Sequence, residues 1–292
     1  MKMLSGGPFL EAYDTTITPT PSAMKKRVVC VVVLATLSLV ADLSAHDTWL
    51  LPHSMRVAVG TPIAVSLTSG QAFPADDFAI VPARVTRATV RLAGVTSALP
   101  APQSAKLSLR YVWVPRTAGL ASIAVELAPK TLTLAPEKIE EYFLDINASR
   151  ALRAAWDSVP SPKRWRESYV KHAMSYVRVG NAGVDTSWRH PLGLGFEIVP
   201  EVDPTALRAG DAFPVRVLRA GLGVAHLQVG LQHEGDPHVE FSTTDATGRT
   251  RVILARSGRW LVNVTDLRRS AKPGLEWESD FATMTIATTP TH

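Results

Sequence analysis

The chain of 292 residues contains one cysteine, Cys30, and it lies inside an apolar run. No disulfide framework, CxxC redox motif, cysteine zinc site or cysteine nucleophile can exist in the remainder, so the chain must be held together by its cores. Aromatics make up only 7% of the residues, and the basic excess of +5 is spread thinly. There is no basic stripe with interleaved aromatics, which excludes a nucleic-acid role. Enzyme signatures are absent too: no GxSxG elbow, no HExxH, no P-loop, and no GxGxxG followed by an acidic residue. We therefore read the chain as a non-enzyme. No internal repeat or low-complexity tract is found.

What the sequence does have is apolar content, 46%, with 21 Pro and 18 Gly scattered rather than clustered. That combination suits many short strands separated by turns. Residues 24–45 (MKKRVVCVVVLATLSLVADLSA) carry three consecutive cations, Lys25, Lys26 and Arg27, and then the 14-residue apolar stretch 28–41. The small residues Ser44 and Ala45 complete the segment. This is the pattern of a secretory signal peptide, too short for a typical membrane span. Residues 1–45 are thus expected to be a leader with Met24 as the working start, and the mature protein to be periplasmic. Cleavage after Ala45 would leave His46 as the first residue; cleavage after Ala41 is the rival.

Apolar periodicity divides the rest of the chain. Residues 46–135 alternate like strands and predict an N-terminal β-sandwich. Across 136–179 the spacing turns helical: Ile139, Tyr142, Phe143 and Ile146 after Pro136, then Trp165, Tyr169, His172 and Tyr176 at i, i+4, i+7 and i+11. A helical connector is therefore expected over 136–192. Residues 193–290 return to about seven short strands, a second sandwich. Within it, VAHLQVGLQ and HVEFST flank the turn EGDP, Asp245 and Gly248 form a tight turn, and Trp260 is expected in the core.

Segments along the mature chain carry a resemblance. AHDTWLLP, PEKIEEYF, WRESYVKHAMSYVRVG, GLGFEIVPEVDP, LRAGDAFPVRVL, TTDATGRTRVIL, SGRWLVNV and EWESDFATMTI stand in order between His46 and Ile286. The series resembles a bacterial periplasmic domain family of unknown function, commonly described as the periplasmic component of cobalt or nickel uptake. The C-terminal half also looks like the sandwich modules that accompany carboxypeptidases and outer-membrane receptors, so the expected fold is two immunoglobulin-like or carboxypeptidase-regulatory-like sandwiches. In the family a His often follows the GRW motif by a few residues; here Asp266 occupies that stretch.

Candidate ligands follow from residue chemistry. An N-terminal His46 would offer its α-amine and its ring nitrogen to one ion, a donor pair suited to nickel, cobalt or copper. In that first residue it resembles the histidine brace of copper proteins. Asp47, His53, His172 or Asp266 could complete the set. His233 and His238, with Glu234 and Asp236, place two imidazoles and two carboxylates within six residues of one turn. The metal candidates are therefore His46, Asp47, His172, His233, His238 and Asp266. The expected function is a metal-binding accessory of transition-metal uptake, whose partner is a membrane metal transporter or an outer-membrane receptor. The alternative is a metal-free carbohydrate- or envelope-binding module using Trp188 or Tyr176. Weaker readings are a brace-type copper oxygenase and a glycoside-cleaving carboxylate pair among Glu276, Glu278 and Asp280.

Overall fold

A computed structural model of the protein describes residues 46–183 and 185–291. The expected signal peptide lies outside the described residues. Strands dominate. The first part of the chain forms β1 (Asp47–Pro52), β2 (Arg56–Val57), β3 (Ile63–Gly70), β4 (Phe78–Ala79), β5 (Val85–Leu92) and β6 (Val95–Ala98). Next come β7 (Gln103–Ser104), β8 (Leu109–Trp113), β9 (Gly119–Leu127) and β10 (Lys130–Leu134). Two short helices come after them, α1 (Ile139–Asp145) and α2 (Arg150–Asp157), and then the 15-residue β11 (Trp165–Val179). The last part forms β12 (Phe196–Pro200), β13 (Ala212–Arg219), β14 (Leu222–Gly223), β15 (Gln228–His233) and β16 (Val239–Thr243). It ends with β17 (Arg249–Ile253), β18 (Gly258–Arg269) and β19 (Trp277–Thr288).

These strands make three sheets. A ten-stranded sheet runs β16-β15-β18-β19-β11-β9-β5-β6, with β10 and β2 also paired to β11. A five-stranded sheet, β1-β3-β8-β7 with β4 on β3, packs on one of its faces. A four-stranded sheet, β12-β13-β14 with β17 on β13, packs on the other. Each contact is a core. Leu50, Val65, Leu67 and Tyr111 meet Ala121, Ile123 and Val177 on the first side. Phe196, Phe213, Val215 and Val217 meet Val229, Val262, Met174 and Met284 on the second. The pleat explains the division: successive residues of a strand point to opposite faces, so Ala173 and Met174 enter different cores.

Strand β11 corrects the expected helical connector. It runs parallel to β19, from Glu167 opposite Trp277 to Ser175 opposite Thr285, and antiparallel to β9 over its last four residues. It thereby joins strands of the first half of the chain to strands of the last half in one continuous sheet. Trp165 and Tyr169 face the five-stranded side while His172 and Tyr176 face the other, so the helical stripe of four does not exist as a stripe. Among the described residues of the expected connector, only α1 and α2 are α-helical. Together they cap the open end of the sheet, laying Ile139, Tyr142 and Phe143 on Trp165, Leu267 and Trp277.

Local sequence signals hold elsewhere. Ser149 accepts from the Leu152 N–H and so caps α2. Asp245 Oδ1 accepts from the Thr247 and Arg249 N–H groups, and Gly248 sits at φ +80°, as the turn requires. Trp260 is buried, its indole N–H donating to Thr288 Oγ1 at 3.1 Å.

Candidate functional site

The expected ligands divide across the central sheet. Lys171 and His172 are neighbours in β11, so their side chains leave by opposite faces. On the Lys171 side stands the beginning of β1. The Lys171 ammonium donates to the His46 carbonyl, and Asn263 Nδ2 donates to Asp47 Oδ2 at 2.7 Å. The His46 ring lies flat on Phe78, with centroids 4.7 Å apart and planes 15° apart. Burial pushes the Asp47 pKa up, a shift opposed by Asn263 and Lys171 and reinforced by the nearby Asp145 charge. Burial likewise pulls the Lys171 pKa down to about 8, against the pull of Asp47.

On the other side His172 is fully enclosed, and both ring nitrogens meet carboxylates. Nδ1 is 3.2 Å from Glu126 Oε2, an ion-pair contact poorly aligned for a hydrogen bond, and Nε2 is 3.4 Å from Asp280 Oδ1. Burial lowers the His172 pKa, but Asp280 and Glu126 outweigh it and the net shift is upward. The Asp280 pKa is raised by burial, yet its bonds to His172 and Arg268 leave it below the usual carboxylate range. The chain of charge continues: Arg268 donates to Asp280 Oδ2 at 2.8 Å and lies 3.5 Å from Asp266, which also accepts from Arg219 of the four-stranded sheet. Glu126 also accepts from the Gly195 N–H. An imidazole flanked by two carboxylates is best protonated on both nitrogens, and an imidazolium has no lone pair for a metal. The network is thus a tie between sheets, and the expected roles of His172 and Asp266 as metal ligands do not fit it.

The histidine turn is likewise committed. Glu234 binds the Arg259 guanidinium at 2.6 Å and Asp236 binds Arg256. His233 Nε2 lies 2.9 Å from the Ser257 carbonyl, and its ring packs edge-on against Trp260. His238 is held by its backbone, whose N–H donates to Asp236. Within the acidic run around Trp277, Glu278 binds Lys272 at 2.5 Å and Asp280 belongs to the His172 network. His53 lies just past the far end of β1, roughly 20 Å from His46 along an extended chain. Trp188 and Tyr176 are both buried, so neither can serve as a sugar platform. Among the described residues no group of three or more His, Cys, Asp or Glu side chains is placed to hold a metal ion. Nor, among them, is any helix long and apolar enough to cross a membrane.

One feature escaped sequence reasoning. A cleft of about 410 Å³ opens beside the start of β11, lined by Thr133, Leu134, Lys163, Arg164, Arg166 and Glu276 among others. The available signal was the cation triplet within KRWR, residues 163–166.

The family described as "Domain of unknown function (DUF4198)" matches residues 43–266. No curated protein matches the sequence. Among solved structures, the adhesin InvE of Yersinia pseudotuberculosis is 9% identical, with 82% of this chain and 58% of that one covered and a TM-score of 0.22. Escherichia coli alpha-2-macroglobulin activated by porcine elastase is 11% identical, with coverage of 84% and 20% and a TM-score of 0.25. Murine CEACAM1b is 8% identical, with coverage of 84% and 100% and a TM-score of 0.20. The chain spans less than two thirds of the length of the first two.

Proposed function

The chain belongs to the DUF4198 family of unknown function, and on that footing we propose that it is an exported, periplasmic metal-handling protein that binds nickel, cobalt or copper through His46. The metal is cargo, passed to a membrane transporter or an outer-membrane receptor. The observation that carries this reading is the anchoring of His46. Its ring is stacked on Phe78, its carbonyl is held by Lys171, and pairing of β1 with β3 starts at the next residue, Asp47 opposite Gly70. A chain cut after Ala45 would present an amine and an imidazole on a terminus already ordered by a sheet, so little conformational freedom is lost when an ion binds. Both nitrogens suit these three ions by ligand type.

Asp47 accepts from Asn263 and stands in the field of the Lys171 charge, which makes it a supporting group. In fold terms we read the layers as two sandwiches that share the central sheet. The test is metal titration of the secreted protein, with intact mass to fix its first residue. A chain beginning at His46 should bind Ni, Co or Cu, and one extra residue placed before it should weaken binding sharply, because the amine becomes a non-basic amide. Equal affinity in the two forms removes the reading.

A further inference from the structure

We propose that the cleft at the start of β11 is a binding site for a small anionic sugar, a phosphate or carboxylate group carried on a hydroxylated ring. This goes beyond the metal reading and does not depend on His46. Three cations, Lys163, Arg164 and Arg166, line the cleft; with Lys163 paired to Asp157 at 3.8 Å and Glu276 in the lining, one positive charge is left over. Two of these cations are uncommitted: among the described residues the Arg164 and Arg166 guanidinia have no hydrogen-bond or ion-pair partner. In this they differ from five paired arginines. Arg219, Arg249, Arg256, Arg259 and Arg268 all end on carboxylates. Guanidinium forks match phosphate and carboxylate oxygens two at a time, which is why unpaired arginines beside a cavity point to an oxyanion.

The size and floor of the cleft agree. About 410 Å³ falls within the range of small-molecule sites and is ample for one sugar ring with its anionic group. The floor is fixed: Trp165 stacks on Trp277 at 4.6 Å, its indole N–H donates to Glu167 at 2.8 Å, and Trp156 meets it edge-on at 5.5 Å. Lys163 is held over the Trp156 ring at 4.8 Å. The Arg166 backbone is clasped from both directions, its N–H donating to Glu276 Oε2 at 2.7 Å and its carbonyl accepting from the Glu276 N–H at 2.9 Å. The guanidinia therefore rise from a rigid base, and binding need order little more than two side chains. Glu276 and Thr133 provide what a bare anion would not use, acceptors for hydroxyl groups.

The experiment is calorimetric titration of the full chain, read in parallel by tryptophan fluorescence because Trp156 and Trp165 adjoin the site. The probes are glucose 6-phosphate, galacturonate, inorganic phosphate and glucose. The two anionic sugars should bind saturably and more tightly than inorganic phosphate, glucose should not bind, and added salt should weaken binding. Arg164→Gln with Arg166→Gln should lower the affinity at least tenfold, while Arg251→Gln, on the exposed side of the four-stranded sheet, should leave it unchanged. Both cleft arginines are exposed, so an unchanged melting curve is expected; Arg164→Gln alone serves if the pair fails to fold. Inorganic phosphate binding as well as glucose 6-phosphate would overturn the sugar assignment. Absence of saturable binding, or wild-type affinity in the variant, would overturn the site.

Discussion

Two polar clusters sit back to back on β11, separated only by the thickness of the central sheet, and they are built on opposite principles. On the His172 side every charge has a counter-charge: Glu126, His172, Asp280, Arg268, Asp266 and Arg219 form one alternating series across both sheets. On the Lys171 side the polar groups gather at the start of β1, where the half-buried Asp47 and Lys171 are shifted against their charged forms. A saturated network fastens layers, and a group added to it would displace an existing bond. A strand opening that holds one residue in place is suited to receiving a ligand. The difference argues that chemistry-bearing residue types alone do not locate a site; the partners they already have decide.

The largest expected effect falls on the saturated side. Replacing His172 with Ala removes the cation between Glu126 and Asp280 and leaves only Arg268 to balance the pair. The cost should be about 3 kcal/mol, read as a fall in the denaturant midpoint at constant slope. A loss under about 1 kcal/mol would mean that the series is a surface ornament. Asn263→Ala, on the opposite face, removes a single bond to Asp47 and should cost about 1 kcal/mol. The two changes should add, since the sheet separates them.

The same network predicts a pH profile. The His172 pKa is raised on folding, so its contribution is complete below the unfolded value of about 6.5 and fades as pH rises through the folded one. The Asp280 and Glu126 pKa values are lowered, so their contribution is complete above about 4 and fades as pH falls through the folded values. The groups facing His172 from neighbouring elements, Arg268, Asp266 and Arg219, complete the set. Wild-type stability should therefore exceed that of His172→Asn most in the mildly acidic window between these limits. A difference that does not vary with pH would show that the imidazole acts only by packing.

How far these clusters could be seen in advance depends on sequence distance. The EGDP hairpin, the Asp245 turn and the 3-10 turn at Pro136 that leads into α1 rest on contacts within a few residues, and their signals were legible, as was the burial of Trp260 from its residue type. Strand β11 was not. Both its faces are covered, so polar and apolar residues do not alternate along it, and its aromatics fall by coincidence at helical intervals. The His172 network was out of reach for a related reason. Its bond to Asp280 spans 108 positions through a parallel pairing that only the folded sheet establishes. The histidine turn misled in the other direction: two imidazoles and two carboxylates do lie close together, but Arg256 and Arg259, some twenty residues on, claim the acids.

That turn supplies the smallest expected effect and the sharpest contrast with His46. His238 is exposed and tied only through its backbone N–H to Asp236, so its ring contributes little to the fold. His238→Ala should change stability by no more than about 0.5 kcal/mol. For an ion to use the turn, His233 would have to leave the Ser257 carbonyl and the face of Trp260, and Asp236 would have to release Arg256. Those contacts are made before any metal arrives and would be lost on binding, whereas on the proposed reading His46 would keep its ring stack and carbonyl bond when its amine and a ring nitrogen engage an ion. Titration with Ni, Co or Cu should accordingly show a sharp loss for His46→Ala and almost none for His238→Ala. If the turn variant instead removed binding and His46→Ala did not, the metal would belong to the hairpin, and the strand opening on the Lys171 side would be as purely structural as the network behind it.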